Sequence, residues 1–421
     1  MSEVARVPQL RFPEFSNEWE KNKLGNLAVI KSGISPSKYE LKTTGSLPFL
    51  KVEDLNNCRK YQFNSRVYSE SLKNSINKNS VIFPKRGAAI RLNKVRINKV
   101  AALMDSNLMA LLPNTELLNT EFLYYKIMLD GLYKIADTST IPQINNKHIL
   151  PYKLNLPILP EQQKIAAFLT AVDSKIEQLS KKQELLGEYK KGLMQQIFSQ
   201  AIRFRAGDTP GQPLLPNGNS PSGSEFPDWE EKKLGDIGHT FNGLTGKTKD
   251  DFGRGKPYIQ YMQIFESSKI NIDNFGLVDV RDDENQKVAQ YGDVFFTTSS
   301  ETPDAVGYSS VLLDDIDKLY LNSFCFGFRP NSLDELSPNF AQFLLRSANF
   351  RRRVVRLAQG STRYNMSKVQ LMKEVISLPC LKEQTKISNF LSYIDSKIEQ
   401  VGKQLDESKQ FKKALLQQMF V

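Results

Sequence analysis

The segment Pro84-Lys85-Arg86-Gly87-Ala88-Ala89-Ile90-Arg91-Leu92-Asn93-Lys94-Val95-Arg96 sets five cations directly behind the apolar run Val81-Ile82-Phe83. A guanidinium in such a loop clamps a phosphate or takes a guanine edge, and an ammonium neutralises a phosphate. A solvated polar face is the plainer alternative for the same residues. Behind a second apolar run comes Phe296-Thr297-Thr298-Ser299-Ser300-Glu301-Thr302, rich in hydroxyls and not basic. Further cations stand at Lys247, Lys249, Arg254 and Lys256, and in Arg351-Arg352-Arg353-Val354-Val355-Arg356. Equivalent loops with different donors and acceptors suit different base edges. The candidate DNA-facing residues are Lys85, Arg86, Arg91, Lys247, Lys249, Thr298, Ser300, Arg352 and Arg353, with Thr140 and Thr362 from the pairs Ser139-Thr140 and Ser361-Thr362 that each half reaches before its long helix. The formal net charge of +11 agrees with a polyanionic partner, although it also suits a basic protein that binds other proteins.

Catalytic constellations are missing from the sequence. The two histidines, His148 and His239, have no companion at metal-ligand spacing. Gly243-Leu244-Thr245-Gly246-Lys247-Thr248 falls short of a phosphate-binding loop because Phe241 stands where the first glycine belongs. There is no Gly-x-Ser-x-Gly elbow and no Asn-Pro-Pro-Tyr or Asp-Pro-Pro-Tyr of an amino-methylating enzyme. Cys58, Cys325 and Cys380 lie far apart and read as core thiols, with neither a disulfide nor a metal site expected. Met1 to Phe12 lacks the apolar run of a signal peptide, so a cytoplasmic protein without membrane contact is expected.

The elements that position these loops are written twice. Leu156-Pro157-Ile158-Leu159-Pro160-Glu161-Gln162 returns as Leu378-Pro379-Cys380-Leu381-Lys382-Glu383-Gln384, and the match runs without a gap to Phe198 and Phe420. At its centre Asp173-Ser174-Lys175-Ile176-Glu177-Gln178 is repeated verbatim as Asp395 to Gln400. Trp19-Glu20 with Leu24-Gly25 and Trp229-Glu230 with Leu234-Gly235 mark the two openings. Ile202-Arg203-Phe204 echoes Leu10-Arg11-Phe12 ahead of a Gly, Pro, Asn and Ser-rich linker from Ala206 to Ser224. Between opening and helix the halves diverge. Val81–Phe83, Asp293–Phe296 and Phe324–Phe328 read as buried strands, and Phe122–Met128 and Phe340–Leu345 as amphipathic helices.

Both long helices carry a heptad. Ile165, Leu169, Val172, Ile176, Leu179, Gln183, Leu186, Lys190, Leu193 and Ile197 step alternately by four and three. Ile387, Leu391, Ile394, Ile398, Val401, Leu405, Ser408, Lys412, Leu415 and Met419 keep the same rhythm. The two helices are expected to pair antiparallel as a rod of about 57 Å, with Gln183, Ser408, Lys190 and Lys412 as register devices. The expected fold is α+β: two mixed α/β domains separated by an antiparallel coiled coil, an internal pseudo-twofold repeat.

The doubled Trp-Glu and Leu-Gly opening, the Leu-x-Leu-Pro-x-Leu-x-Glu-Gln approach and the Leu-x-Gln-Gln-x-Phe helix end resemble the specificity subunit of type I restriction-modification systems. Cys380 and Lys382 depart from the usual Pro-rich form, and the linker is longer than expected. The resemblance implies target-recognition domains at 1–155 and 226–377, helical spacer regions at 156–201 and 378–421, and a linker at 202–225. Each domain would read half of a bipartite site in double-stranded DNA. The helices would dock two methyltransferase subunits, through Gln162, Lys175, Glu177, Gln195 and Gln196 and through Gln384, Lys397, Glu399, Gln417 and Gln418. Motor-nuclease subunits would complete the complex. The chain itself would be non-catalytic and hold no cofactor, with S-adenosylmethionine, ATP and Mg on partner subunits. A stand-alone sequence-specific DNA binder and a protein–protein scaffold are the alternatives.

Overall fold

The computed structural model describes residues 7–137, 141–207 and 225–421. The chain divides into two units, residues 1–181 with 402–421, and residues 182–401. The helices Leu159–Phe198 and Leu381–Gln418 each contribute one part to either unit.

Each unit opens on the same two-stranded frame. Glu20–Lys23 pairs antiparallel with Lys153–Leu156 in the first, and Glu230–Lys233 with Val375–Leu378 in the second. Glu20 faces Leu156 and Glu230 faces Leu378, so the residue after each tryptophan is in register with the leucine that opens the helix motif.

The first unit then builds a five-stranded sheet in the order Ala28–Ser32, Leu108–Pro113, Val81–Pro84, Arg96–Asn98 and Tyr61–Gln62. A smaller sheet runs Tyr68–Ser69, Leu47–Leu50, Leu103–Met104, its last pair parallel. The second unit repeats the plan with Gly238–Asn242, Cys325–Pro330, Val294–Thr297 and Ser309–Val311. Its smaller sheet is Gly276–Val278, Phe252–Ile259, Tyr320–Leu321, again ending in a parallel pair. The central strands Val81–Pro84 and Val294–Thr297 are buried at every residue, as a strand covered on both faces requires.

Two sequence expectations change. Phe324 lies outside the strand Cys325–Pro330 and is 61% exposed. The helices Thr120–Asp130 and Pro338–Leu344 are not amphipathic: Thr120 and every residue from Phe122 to Ile127 are buried in one, and Pro338 and every residue from Phe340 to Leu344 in the other, because each is wedged between its sheet and the long helices.

The heptad pattern appears within each unit as an antiparallel pair of helix segments. In the first, Asp173 pairs with Lys412 at 2.6 Å, while Ile165 and Leu169 share a core with Leu415, Met419 and Phe420. In the second, Lys190 pairs with Asp395 at 2.5 Å, while Leu193 and Ile197 share a core with Ile387 and Leu391. Apolar burial drives the pairing, and the two reciprocal ion pairs fix its register.

The terminal phenylalanines complete the cores. Phe420 packs on Trp19 and Phe122 at centroid separations of 6.4 and 5.0 Å. Phe198 packs on Trp229 and Phe340 at 6.5 and 5.8 Å. Each unit thus joins the start of one helix to the end of the other.

Candidate nucleic-acid interface

The Glu-Gln of the repeated motif is the joint between each domain and its long helix. Glu161 is fully buried, accepting from Arg11 Nε and Nη2 at 2.8 Å each and from the Trp19 indole at 3.3 Å. Glu383 does the same with Arg203, at 3.3 and 2.9 Å, and with the Trp229 indole at 3.1 Å. These carboxylates lie in the first helical turn, where the backbone dipole also favours negative charge. The hydrogen bonds to Glu161 and Glu383 hold the Arg11 and Arg203 guanidinium groups firmly in their charged form. Arg203 and the buried Phe204 therefore belong to the frame of the second unit, at the edge of the segment read as linker.

The adjacent glutamines correct a sequence expectation. Gln162 and Gln384 are each 1% exposed and do not present an outward docking surface. Gln162 donates to Leu117 O and Pro157 O and accepts from Asn119 N. Gln384 donates to Glu335 O and Pro379 O and accepts from Ser337 N. Both fasten the loop before the domain helix, which a helix-face argument from heptad position could not reveal. Lys175, Glu177, Gln195, Gln196, Lys397, Glu399, Gln417 and Gln418 are exposed. Glu399 lies 3.5 Å from Lys269.

In the first unit the basic loop leaves the buried strand and turns at Gly87, whose φ of 78° suits glycine. Lys85 N–H donates to Asn107 O, Ile144 N–H to Lys85 O and Gly87 N–H to Pro142 O, at 2.8, 2.9 and 2.9 Å. Arg86 is bridged to Gln143. Arg86 and Arg91 are exposed, while Lys85 is half-buried, its pKa lowered by burial and by the neighbouring Arg86. The last two cations have other work. Arg96 donates to the carbonyls of Cys58, Val95 and Leu55, and Lys94 to Asn56. Thr140 lies outside the described residues.

The corresponding edge of the second unit is a strand, Ser299–Ser300, paired with Tyr364–Met366. Thr298 N–H donates to Phe324 O and Met366 N–H to Thr298 O, at 3.1 and 2.9 Å. A hairpin joins Ala358–Gln359 to Tyr364–Met366, and Gly360, at φ 132°, allows the close approach of Arg363 O. This hairpin carries Thr362 and Arg363, both exposed, to the edge that holds Thr298 and Ser300.

The remaining cation candidates divide. Lys247 is corrected: its side chain is 6% exposed and ion-paired with Glu284 at 2.6 Å, which holds that carboxyl well below its usual range. Lys249 is exposed. Arg353 is also corrected, since its guanidinium donates to Val375 O in the domain frame. Its neighbour Arg351 is spent on the carbonyls of Asp304, Val306 and Gly307. Arg352 is exposed and bonded to Asn349 one helical turn away, on the helix whose Asn349 also donates to Phe198 O. Arg351 and Arg353 therefore brace the domain, while Arg352 and Arg356 stay exposed.

Asn107, Gln143, Phe324 and Arg363 join the candidate edges without any sequence signal. Only strand pairing brings them beside the loops. Among the described residues no cluster of His, Cys, Asp and Glu could hold a metal ion, and no helix is long and apolar enough to cross a membrane. The three cysteines are free, and Cys325 alone is fully buried, its thiol pushed up to about 12 by burial.

Residues 16–186 and 227–407 each match the type I restriction modification DNA specificity domain. The type I restriction enzyme MjaVIII specificity subunit of Methanocaldococcus jannaschii is 23% identical over 428 residues, covering 97% of this chain and 92% of that protein. The crystal structure of a type I restriction-modification S subunit from M. genitalium superposes with a TM-score of 0.57 at 16% identity, over 99% of both chains. A chain from a structural study of type I complex assembly and conformational transition gives 0.55 at 16% identity, over 94% of this chain and 96% of its own. Two matched copies of the domain, together spanning most of the sequence, place this chain in the type I restriction-modification DNA specificity family.

Proposed function

We propose that this chain is the non-catalytic DNA-recognition subunit of a type I restriction-modification complex, each domain reading one half of a bipartite site. The observation that carries this reading is a single frame supporting two unlike edges. The Arg-Glu-Trp joint and the glutamine clasp recur in both units, while Lys85 and Arg86 stand where Thr298 and Ser299 stand in the other. A constant mount with exchangeable donors is what modular base readout needs. The exposed Lys175, Glu177, Gln195 and Gln196, repeated at Lys397, Glu399, Gln417 and Gln418, offer two equivalent surfaces for two methyltransferase subunits. Those subunits would supply S-adenosylmethionine and the adenine chemistry, and motor-nuclease subunits would supply ATP- and Mg-dependent restriction.

Domain exchange tests the reading. Replacing residues 24–149 with the segment of a relative, and co-expressing the full chain with its methyltransferase, should alter one half of the methylated sequence and spare the other. Changes in both halves, or in neither, would contradict it. The helices also act as a spacer in this reading. Seven residues added after Leu179 and after Val401 preserve the heptad and lengthen each helix by about 10 Å. Methylated sites should then carry a longer spacer between unchanged half-sites.

A further inference from the structure

We infer that the second recognition domain reads the 5-methyl group of a thymine through an aromatic bowl beside its hydroxyl-rich edge. The inference rests on the proposed DNA-recognition role and gives that edge a chemical specificity. The bowl is a wide-mouthed cavity of about 480 Å³ lined by Tyr261, Met262, Phe265 and Phe324, with Ser300 and Arg363 on its rim. Its floor is fixed. Tyr261 donates its hydroxyl to Ser299 O at 2.7 Å and stacks with Phe265 at 6.4 Å and 15°, and Phe265 meets Tyr308 edge-on at 5.0 Å. Its lip is not covered: Phe324 is 61% and Met262 50% exposed.

An exposed aromatic beside a polar reading edge has a defined counterpart on duplex DNA. The thymine methyl is the apolar feature of the major-groove base edges, and phenylalanine contact is one way of reading it. Removing ring and methyl together from water stabilises the complex only where that methyl is present. Glu301 also lines the bowl, and its charge disfavours a phosphate there, so a base edge is the better occupant. Arg363 and Ser300 are placed to bond the polar atoms flanking the methyl. The first domain makes the contrast. Lys85 N–H donates to Asn107 O as Thr298 N–H donates to Phe324 O, so a polar asparagine holds the position of the exposed phenylalanine.

Replacing thymine by uracil deletes only the methyl group and leaves the protein unchanged. The full-length chain, co-purified with its methyltransferase, is used to enrich binding sequences from a randomised duplex pool, and the winning duplex is remade with each thymine replaced singly by uracil. At one or two thymines, in the half-site that changes when residues 234–375 are exchanged, uracil should weaken binding about three- to tenfold. Phe324→Ala should erase that penalty and Met262→Ala should reduce it, while Asn107→Ala leaves it intact. Uracil tolerated at every thymine, or a penalty undiminished in Phe324→Ala, overturns the thymine-reading bowl while selective binding preserves the recognition role. Failure of the complex to enrich any sequence overturns both.

Discussion

Both units place the same Asp-Ser-Lys-Ile-Glu-Gln on their helices, yet they tie its aspartate to the recognition domain in different ways. In the first unit Lys60, 8% exposed at its side chain, pairs with Glu121 and donates to Tyr125 Oη and Thr170 Oγ1 at 2.8 Å each. Asp173 accepts from the Tyr125 hydroxyl at 2.6 Å and pairs with Lys412. In the second unit Phe343 occupies the place of Tyr125 and Asn339 that of Glu121. The ion pair Asp395–Lys190 persists, but beside it opens a cavity of about 510 Å³. A buried cation demands a complete set of partners, and losing the carboxylate and the hydroxyl removes the reason to place one there. The repeated helix surface therefore tolerates both a filled polar junction and an open one. The second domain uses other ties, Asn349 to Phe198 O at 3.0 Å and Lys269 to Glu399 at 3.5 Å.

The feature common to both junctions supplies the largest expected effect. Glu161→Ala strands a half-buried arginine and a buried indole and should cost about 3–5 kcal/mol. Glu383→Ala should cost less, because Arg203 is more exposed than Arg11, 25% against 11% at the side chain. Thermal unfolding followed by tryptophan fluorescence measures both, and a larger loss in Glu383→Ala would show that the two mounts are not equivalent. The filled junction comes next. Lys60→Met should destabilise by about 1–3 kcal/mol through the unsatisfied groups it leaves. No change in denaturant midpoint would mean that the network is ornamental.

Alkaline pH also separates the units. Burial, aided by Asp173, Glu121 and Asp130, raises the phenol pKa of Tyr61, Tyr124, Tyr125 and Tyr152 above the ordinary 10.0, all in the first unit. In the second, Tyr261 is raised by burial. With the folded values raised, the unfolded chain loses these protons first, so stability falls as pH climbs above about 10. Lys60 and Lys85, their pKa values lowered by burial, work in the opposite direction but are two groups against four. The first unit should therefore unfold at lower alkaline pH. Fluorescence of Trp229→Phe, which leaves Trp19 as reporter, should change before that of Trp19→Phe; the reverse order would contradict the assignment.

Two smaller effects sharpen the contrast. Asp173→Ala should cost more than Asp395→Ala, by about 1 kcal/mol, since only Asp173 also holds a tyrosine. Phe343→Tyr returns the missing hydroxyl to the open junction beside Asp395 and should stabilise by about 0.5 kcal/mol. Equal losses for the two aspartates, or destabilisation by Phe343→Tyr, would show that the junctions differ in geometry and not only in chemistry.

The sequence by itself determined the duplication, the heptad seam and the buried strands at Val81 and Val294. Those depend on periodic apolar burial, which is written locally and repeated at fixed spacing. It also marked Lys85, Arg86, Thr298 and Ser300, because each follows a buried strand directly. Only the tertiary structure decided which polar side chains remain available. Gln162 and Gln384 look like outward helix residues until the loops at Leu117 and Glu335 close over them. Lys247 and Arg353 look like free cations until Glu284 and the Val375 carbonyl arrive from distant sequence. Asn107 and Phe324 become equivalent through strand pairing alone. A polar side chain is committed by partners that folding brings to it, and no local pattern encodes where those partners come to rest.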